Sequence, residues 1–495
     1  MRTNTRIFFV AALMFLHAGL IEGQSLKLGA PFSEHMMVQA DAPVRVWGRD
    51  TPGGQVKVTF AGNSAQAQVG PDGAWRVDLP AVSAAGPHTL EVVGSETITF
   101  TDVVAGDLWW CSGQSNMGWP VKRSVGTKWV AEKQKRDPMF RLVKLPLRSS
   151  DQPDDDFEVQ WQIVDGKTAQ DFSGVAYFFG RNLRREVGRP IGLIQSAWGG
   201  SNIQAWLPMS VVEQSPMFEK FKTDRAKALE RYEAALAAWK DGGRVGKKPP
   251  FRGGGEQHRL SGLYNAMTQP VFPLSIRGVI WYQGESNAYM PEEYANLFRA
   301  LVAEWRQGFE NPDLPVYYVQ LPKYKQWSWI PFRDMQRRLD IPHTDVAVIV
   351  DKGLKDDIHP PYKIAVGDRL ARLARAHVYG QDIVPGGPRL IEATRLNDGS
   401  GGVRLRFDRV GDGLASAQPD RELYEFSLSD AQGKGHNATA MIVGLDTVEV
   451  RSDAVTDPVE VRHGHYVNVS GQLINSEKLP ASPFIELIGG TAEPQ

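Results

Sequence analysis

The chain has 495 residues, with 56 Lys and Arg against 57 Asp and Glu, a formal net charge of −1 at pH 7. That balance excludes the basic excess of a nucleic-acid binder and the acidic excess of a solvating tail protein. Hydrophobic residues at 42% and charged residues at 23% exclude disorder on a large scale, and the single cysteine, Cys111, excludes an intrachain disulfide or a cysteine zinc site.

Arg2 and Arg6 precede an apolar run from Ile7 to Leu16, followed by the small residues Ala18, Gly19 and Gly23. This is the order of a secretory signal peptide, so residues 1–23 are expected to direct the chain to a periplasmic or secreted location. The run is too short to span a bilayer, so no stable membrane insertion is expected. Residues 24–101 then read as short alternating strands, PVRVWGR, GQVKVTF, AWRVDL, HTLEVV and TITFTDV among them. Pro52-Gly53-Gly54, Pro71-Asp72-Gly73 and Gly86-Pro87 break them, which predicts a small β-sandwich.

From 102 to 384 strand-like runs alternate with helical ones. The strands are Val103–Cys111, Ile191–Gln195, Ile276–Tyr282, Val316–Gln320 and Val346–Val350. Tyr294, Leu297, Phe298, Leu301, Val302 and Trp305 recur at the spacing of one helix face, as do Val175, Phe178, Phe179 and Leu183. This alternation predicts an α/β domain built on a doubly wound, mainly parallel five-stranded sheet. A charged helical insertion interrupts it at about 217–255. From 385 to 495 strands return, RLIEATRL, GVRLRF, YEFSLS, ATAMIV and TVEVRS, as a second β region.

In a doubly wound sheet, ligands bind beyond the carboxyl ends of the strands. Four polar clusters stand there: Gly113-Gln114-Ser115-Asn116-Met117, Trp198-Gly199-Gly200-Ser201-Asn202, Gln283-Gly284-Glu285-Ser286-Asn287 and Asp356-Asp357-Ile358-His359-Pro360. Together they hold the parts of acyl transfer. A serine hydroxyl needs a base within hydrogen-bond reach, and His359 has the right intrinsic pKa. A neighbouring carboxylate would fix the imidazole tautomer. The oxyanion needs aimed donors, each worth on the order of 3 kcal/mol, which the Ser115 N–H, the Gly199-Gly200 turn and the Asn287 amide could supply. Taken singly, each has a plainer use: Ser115 as a helix cap, the glycines as a tight turn, His359 as the end of a loop.

Other chemistries fit less well. His463 and His465 alternate on one strand-like run without a third ligand, so no metal is expected. No Walker or GxGxxG loop stands at a strand–helix turn, so no nucleotide cofactor is expected either. Gly113-x-Ser115-x-Met117 lacks the second glycine of a nucleophile elbow. Glu285 with Asp356 could mimic a glycosidase pair, but that leaves Ser115 unused.

At these residues the chain resembles the sialate O-acetylesterases, a family within the SGNH (GDSL-type) hydrolases. LWWCSGQSNMGWP resembles that family's first block, SAWGGSNIQAW its second, GVIWYQGESNA its third and DDIHPPYK its last. PFSEHMMVQADAPVRVWG and LINSEKLPASPF resemble its flanking signatures. The resemblance implies a flavodoxin-like SGNH domain, Ser115 as nucleophile, Gly199 or Gly200 and Asn287 at the oxyanion, and His359 as base. It leaves two positions open. Gln204 stands where the family usually has Glu. The superfamily's Asp-x-x-His spacing selects Asp356 to orient His359, whereas the family's Asp-Ile-His-Pro selects Asp357; Asp356 is preferred here, Asp357 is the close second, and a Ser–His dyad assisted by a main-chain carbonyl is the third option.

The expected activity is removal of O-acetyl groups from sialic acids through an acyl-serine, with Gln114, Asn116, Trp206, Gln283, Glu285, Arg333 and Gln336 as candidates for positioning the sugar or supporting the site. Two alternatives remain: an esterase acting on other acetylated polysaccharides such as xylan, and an inactive carbohydrate-binding surface protein.

Overall fold

The computed structural model describes residues 25–154, 157–249 and 255–489; the export segment read at 1–23 lies outside them. One strand sets the architecture: β1, Thr97–Gly113, seventeen residues long. Its first six residues alternate between exposed and half-buried, and from Val103 all eleven are buried. The sequence carries the same switch, from alternating T-I-T-F-T-D to the apolar run that ends in L-W-W-C, the patterns of a one-sided and a two-sided sheet.

The early part of β1 pairs antiparallel with Ala85–Val93, which pairs with Gln55–Phe60 and through it with Asn63–Gln68. From Asp107 onward β1 lies between parallel neighbours. Beyond it in the chain come β2 (Asp137–Lys144), β3 (Ile191–Ala197), β4 (Gly278–Tyr282), β5 (Val316–Val319) and β6 (Thr344–Ala347). Across the sheet they run β2-β3-β1-β4-β5-β6. Gln162–Val164 closes the β2 edge antiparallel.

The expected five-stranded, mainly parallel, flavodoxin-like sheet is therefore overturned: the chain builds a mixed sheet of eleven strands, to which the N-terminal hairpins belong. Two local features account for the difference. No glycine or proline stands between Thr97 and Ala105, so β1 passes from one region into the next without a turn. And β2 opens Asp137-Pro138; a proline lacks the ladder N–H and argues against a strand, yet it is tolerated at a strand's first residues. The eleventh strand, Met37–Gln39, pairs parallel with β1 at Val104–Gly106, and the remaining N-terminal strands, Lys27–Leu28, Val44–Arg49 and Ala74–Leu79, form a separate three-stranded sheet.

The helices follow their apolar faces. The one-turn helix α1 (Ser115–Gly118) leaves the end of β1. Helix α2 (Gly174–Val187) is capped by Ser173, whose Oγ accepts from the Ala176 N–H at 3.0 Å, and ends at Gly188 in the left-handed conformation, φ 76°. In α3 (Pro291–Gly308), the stripe from Tyr294 to Trp305 is buried. Helices α4 (Trp329–Arg337) and α5 (Lys363–His377) follow β5 and β6. The inserted helix Phe218–Asp241 buries only Phe221 and Ala228 and is otherwise a solvated rod. Six tryptophans, Trp109, Trp110, Trp206, Trp281, Trp305 and Trp329, are fully buried, so core packing uses much of the aromatic content.

The C-terminal region is a seven-stranded antiparallel sheet from Arg389–Arg395 to Phe484–Leu487 with its own core around Leu405, Phe407, Leu428 and Val450. It is tied to the central sheet by the Arg409–Asp345 ion pair at 2.9 Å and by Gln320 Nε2 donating to Ser482 Oγ at 2.7 Å. No helix among the described residues is long and apolar enough to cross a membrane.

Candidate active site

The register of three strands places the site. Gly113 at the end of β1 pairs with Ala197 at the end of β3 and with Tyr282 at the end of β4. The three chains leave the sheet on one line, and the next residues are Gln114-Ser115, Trp198-Gly199 and Gln283-Gly284. Gly113 has φ 140°, and a Cβ there would lie 2.1 Å from the Tyr282 carbonyl oxygen, so only glycine makes this exit.

Hydrogen bonds sew the four loops together. The Trp198 N–H donates to the Gly113 carbonyl at 3.1 Å, and the Ser286 hydroxyl to that of Gly200 at 3.0 Å. Gln114 Oε1 accepts from the Ser286 N–H at 3.3 Å. Gln283 Nε2 donates to the Ser201 carbonyl at 3.2 Å and to Asn287 Oδ1 at 2.7 Å. The fourth loop is held by Asn116, whose Nδ2 donates to the Ile358 carbonyl at 2.9 Å.

On this base His359 Nε2 stands 2.8 Å from Ser115 Oγ, although 244 residues separate them. The imidazole stacks on Trp119, ring centroids 5.1 Å apart and planes 19° from parallel. Beside Ser115, Gly199 packs so closely that a Cβ on it would lie 3.3 Å from the serine Cβ. Gly200 takes the left-handed conformation, φ 78°, that turns the loop. Asn287 is fully buried, with a rigid amide: Oδ1 accepts from the Ile203 N–H at 3.0 Å and from Gln283, and Nδ2 donates to Gln204 Oε1 at 3.0 Å. The amide nitrogen thus retains a second hydrogen, and Gln204 acts here as a neutral acceptor.

The carboxylates lie elsewhere. Asp356, preferred on spacing, points to solvent with 75% of its side chain exposed, and its nearest cation is Lys325 Nζ at 3.7 Å. Asp357 Oδ1 accepts from the backbone N–H of His359 at 2.8 Å, not from the ring. Spacing along a chain fixes neither side-chain direction nor exposure, and here Asp356 faces water while Asp357 holds the backbone of His359. Asp356→Ala is expected to change kcat/KM by less than about fivefold, the ceiling that an exposed ion pair worth up to ~1 kcal/mol allows. Steady-state kinetics on a soluble acetyl ester will test this; a hundredfold loss would restore Asp356 to the site.

Several candidates for sugar contact are bracing residues. Trp206 is buried, donates to Ser201 Oγ at 3.0 Å and packs edge-on against Trp281. Arg333 is fully buried and donates to the carbonyls of Pro322 and Tyr466. Gln336 accepts from the Leu321 N–H at 2.8 Å and donates to the Val319 carbonyl at 3.1 Å, holding the end of β5. With no exposed surface, these three have nothing to offer a sugar. Gln114, Asn116 and Gln283 are buried too; Gln114 Oε1, both polar atoms of Asn116 and Gln283 Nε2 serve loop contacts, while Gln283 Oε1 has no partner among the described residues.

One residue of the site escaped the sequence reading. Lys363 is fully buried, and its Nζ donates to Asn116 Oδ1 at 2.5 Å and lies 5.3 Å from the Tyr282 ring centroid. Asn116 Nδ2 in turn donates to Glu285 Oε1 at 2.6 Å. A carboxyl and an amine are thus bridged through one amide beneath the serine. Burial pushes Glu285 up to about 7, against the lowering effect of the Asn116 hydrogen bond. Burial likewise brings Lys363 down to about 7, opposed by attraction to Glu285 and Asp357. A signal was present: Lys363 is the first residue of α5, where a cation opposes the helix dipole.

The ammonium also acts on His359. Burial, then the Lys363 charge, hold the imidazole pKa below its ordinary 6.5, with Asp357 opposing. A base must be neutral to accept a proton, so activity should fall only as pH drops through this lowered value. Below pH 7 Lys363 is mainly charged, so Lys363→Met removes a repulsion and should move the acid limb of kcat/KM to higher pH. A limb that stays in place, or moves down, would contradict the coupling.

A serine hydroxyl on an imidazole, with a glycine turn packed beside it, is the kind of arrangement an ester hydrolase can use for acyl transfer. Comparison with known proteins makes this specific. The family model described as "Carbohydrate esterase, sialic acid-specific acetylesterase" matches residues 105–243 and 255–375, more than half the chain. The chain belongs to that family, and it is a carboxylic ester hydrolase acting on acetylated carbohydrate. A sialate O-acetylesterase from Mus musculus is 27% identical over 97% of this chain and 98% of its own length. The sialate O-acetylesterase from Homo sapiens is 26% identical over 96% and 95%. Among solved structures, a carbohydrate acetylesterase from Xanthomonas citri is 33% identical, covers 93% of this chain and 99% of its own, and superposes with a TM-score of 0.81.

Proposed function

We propose that this protein is an exported esterase that removes O-acetyl groups from sialic acids by way of an acetyl-serine. The reading is carried by the 2.8 Å approach of His359 Nε2 to Ser115 Oγ. With the imidazole proton on Nδ1, the hydroxyl donates to Nε2. As Oγ attacks the acetyl carbonyl, its proton passes to Nε2, and the carbonyl oxygen becomes an oxyanion. The Ser115 N–H, the Gly199-Gly200 turn and the free hydrogen of Asn287 Nδ2 stabilise that charge. Collapse expels the sugar oxygen, which takes the proton from His359. Water, deprotonated by the same imidazole, then releases acetate.

Among the described residues no carboxylate hydrogen-bonds the ring, so in this reading Ser115 and His359 work as a pair, and the Trp119 stack holds the imidazole plane. Glu285, Asn116 and Lys363 are positioning residues beneath the pair. Residues 1–23 direct export, 102–384 carry the chemistry, and 24–101 and 385–495 frame it.

The test is acetate release from O-acetylated sialic acid and from acetylated xylan, with Ser115→Ala as control. Release from the sialic acid at the higher kcat/KM supports the reading. Preference for xylan transfers the same chemistry to a neutral polysaccharide, and no release from either ends the proposal.

A further inference from the structure

Thirteen of the fourteen tryptophans are buried or half-buried; Trp327 is 71% exposed. It stands in the loop between β5 and α4 and lines a groove of about 850 Å³ that opens onto the C-terminal sheet. None of the groove's lining residues belongs to the four loops around Ser115. Two more exposed rings reach the same groove from separate segments, Tyr424 (48% exposed) and Tyr466 (37%). Large aromatic rings left in water at one concave surface are unusual on a folded protein and mark a binding site.

The chemistry of the lining selects the ligand. Flat rings offer rigid apolar contact at low entropic cost, matching the C–H faces of a pyranose. Asn437, Thr439, Ser452 and Asn468 add neutral hydrogen-bonding groups for hydroxyls. Charge argues against an anion: Glu422, Glu425 and Asp453 line the groove with one cation, Arg451, whose guanidinium is already paired with Asp398 at 2.9 Å and Glu449 at 3.1 Å. An acidic sugar would meet three carboxylates and no free positive charge among these residues. The volume falls within the ~300–1,000 Å³ of small-ligand pockets.

The groove is also linked to the catalytic loops. Two residues before Trp327, the Lys325 N–H donates to the Lys355 carbonyl at 3.0 Å and Lys325 Nζ pairs with Asp356, in the segment that leads to His359.

We propose that the groove walled by Trp327, Tyr424 and Tyr466 is a secondary binding site for a neutral oligosaccharide, the part of the glycan substrate that carries no charge. This rests on the carbohydrate-esterase reading above and adds to it a site apart from the chemistry. The enzyme then recognises a chain as well as an acetylated unit.

The experiment is calorimetric titration of the full-length Ser115→Ala protein with unacetylated xylohexaose and, separately, with oligosialic acid. Xylohexaose is expected to bind, oligosialic acid is not, and adding Trp327→Ala should weaken xylohexaose about tenfold, the value of one well-stacked ring. Tyr424→Ala serves as a second variant, on another segment that lines the groove. In the active enzyme, Trp327→Ala should leave turnover of p-nitrophenyl acetate unchanged. No binding of xylohexaose, binding unaffected by both substitutions, or equal binding of oligosialic acid would overturn the proposal. Binding requires no catalysis, so an inactive wild type would sink the esterase reading without obscuring this result.

Discussion

Ser115→Ala is expected to lower kcat for acetyl-ester hydrolysis by about 10⁴-fold or more, because nucleophile and base act as one unit and neither substitutes for the other. In the proposed reaction the hydroxyl accepts the acetyl group, and its removal leaves His359 nothing to deprotonate except water. The stability cost should be small. Ser115 begins a one-turn helix whose cap is Gln114, and among the described residues its Oγ bonds only to the imidazole. Acetate release, read beside circular dichroism, separates the two effects. A folded variant with more than a few per cent of wild-type turnover would refute the acetyl-serine route.

Asn287→Ala is expected to cost about 10²–10³-fold in kcat with little change in KM, the usual penalty for losing one oxyanion donor. Binding of the ground-state ester does not draw on that donor, so the loss belongs in kcat. This substitution also reaches into the scaffold. Asn287 Oδ1 accepts from the Ile203 N–H and from Gln283, and both are buried. Orphaning buried donors costs about 1–3 kcal/mol, so the melting temperature should fall as well. Asn287→Asp keeps the acceptor while removing the amide donor. If it restores stability and not turnover, the two roles are separate. If it restores both, the amide is structural only.

The candidate site was legible where polar residues interrupt an apolar pattern. Ser115, Gly199 and Asn287 stand in the loops that follow strands whose continuous burial favours an apolar sequence, so the break in pattern marks the sheet edge. His359 stood out by residue type and by the prolines after it. Legibility failed where a side chain's direction, not its position, was decisive. Asp356 has the right spacing and faces water, whereas Lys363 reads as an ordinary helix residue and is buried beneath the serine. Arg333 and Gln336 were candidates either for positioning the sugar or for supporting the site, and their hydrogen bonds go to main-chain carbonyls and an N–H inside the fold.

The sheet divides in the same way. Local patterning marks most of its central strands and the stripe of α3, because burial on two faces or on one imposes a periodicity that residues must obey. Which strands become neighbours is not local. β1 joins hairpins and crossover strands in one mixed sheet because its backbone offers hydrogen bonds along its whole length, and no turn residue stands near Val103 to end it. The sequence alone therefore marked the candidate groups and the edge of the sheet on which they stand. Tertiary structure decided the partners: an imidazole steadied by a tryptophan instead of a carboxylate, and a buried amine and acid joined through Asn116. Those choices depend on desolvation and on contacts between segments far apart in the chain, and no local pattern encodes either.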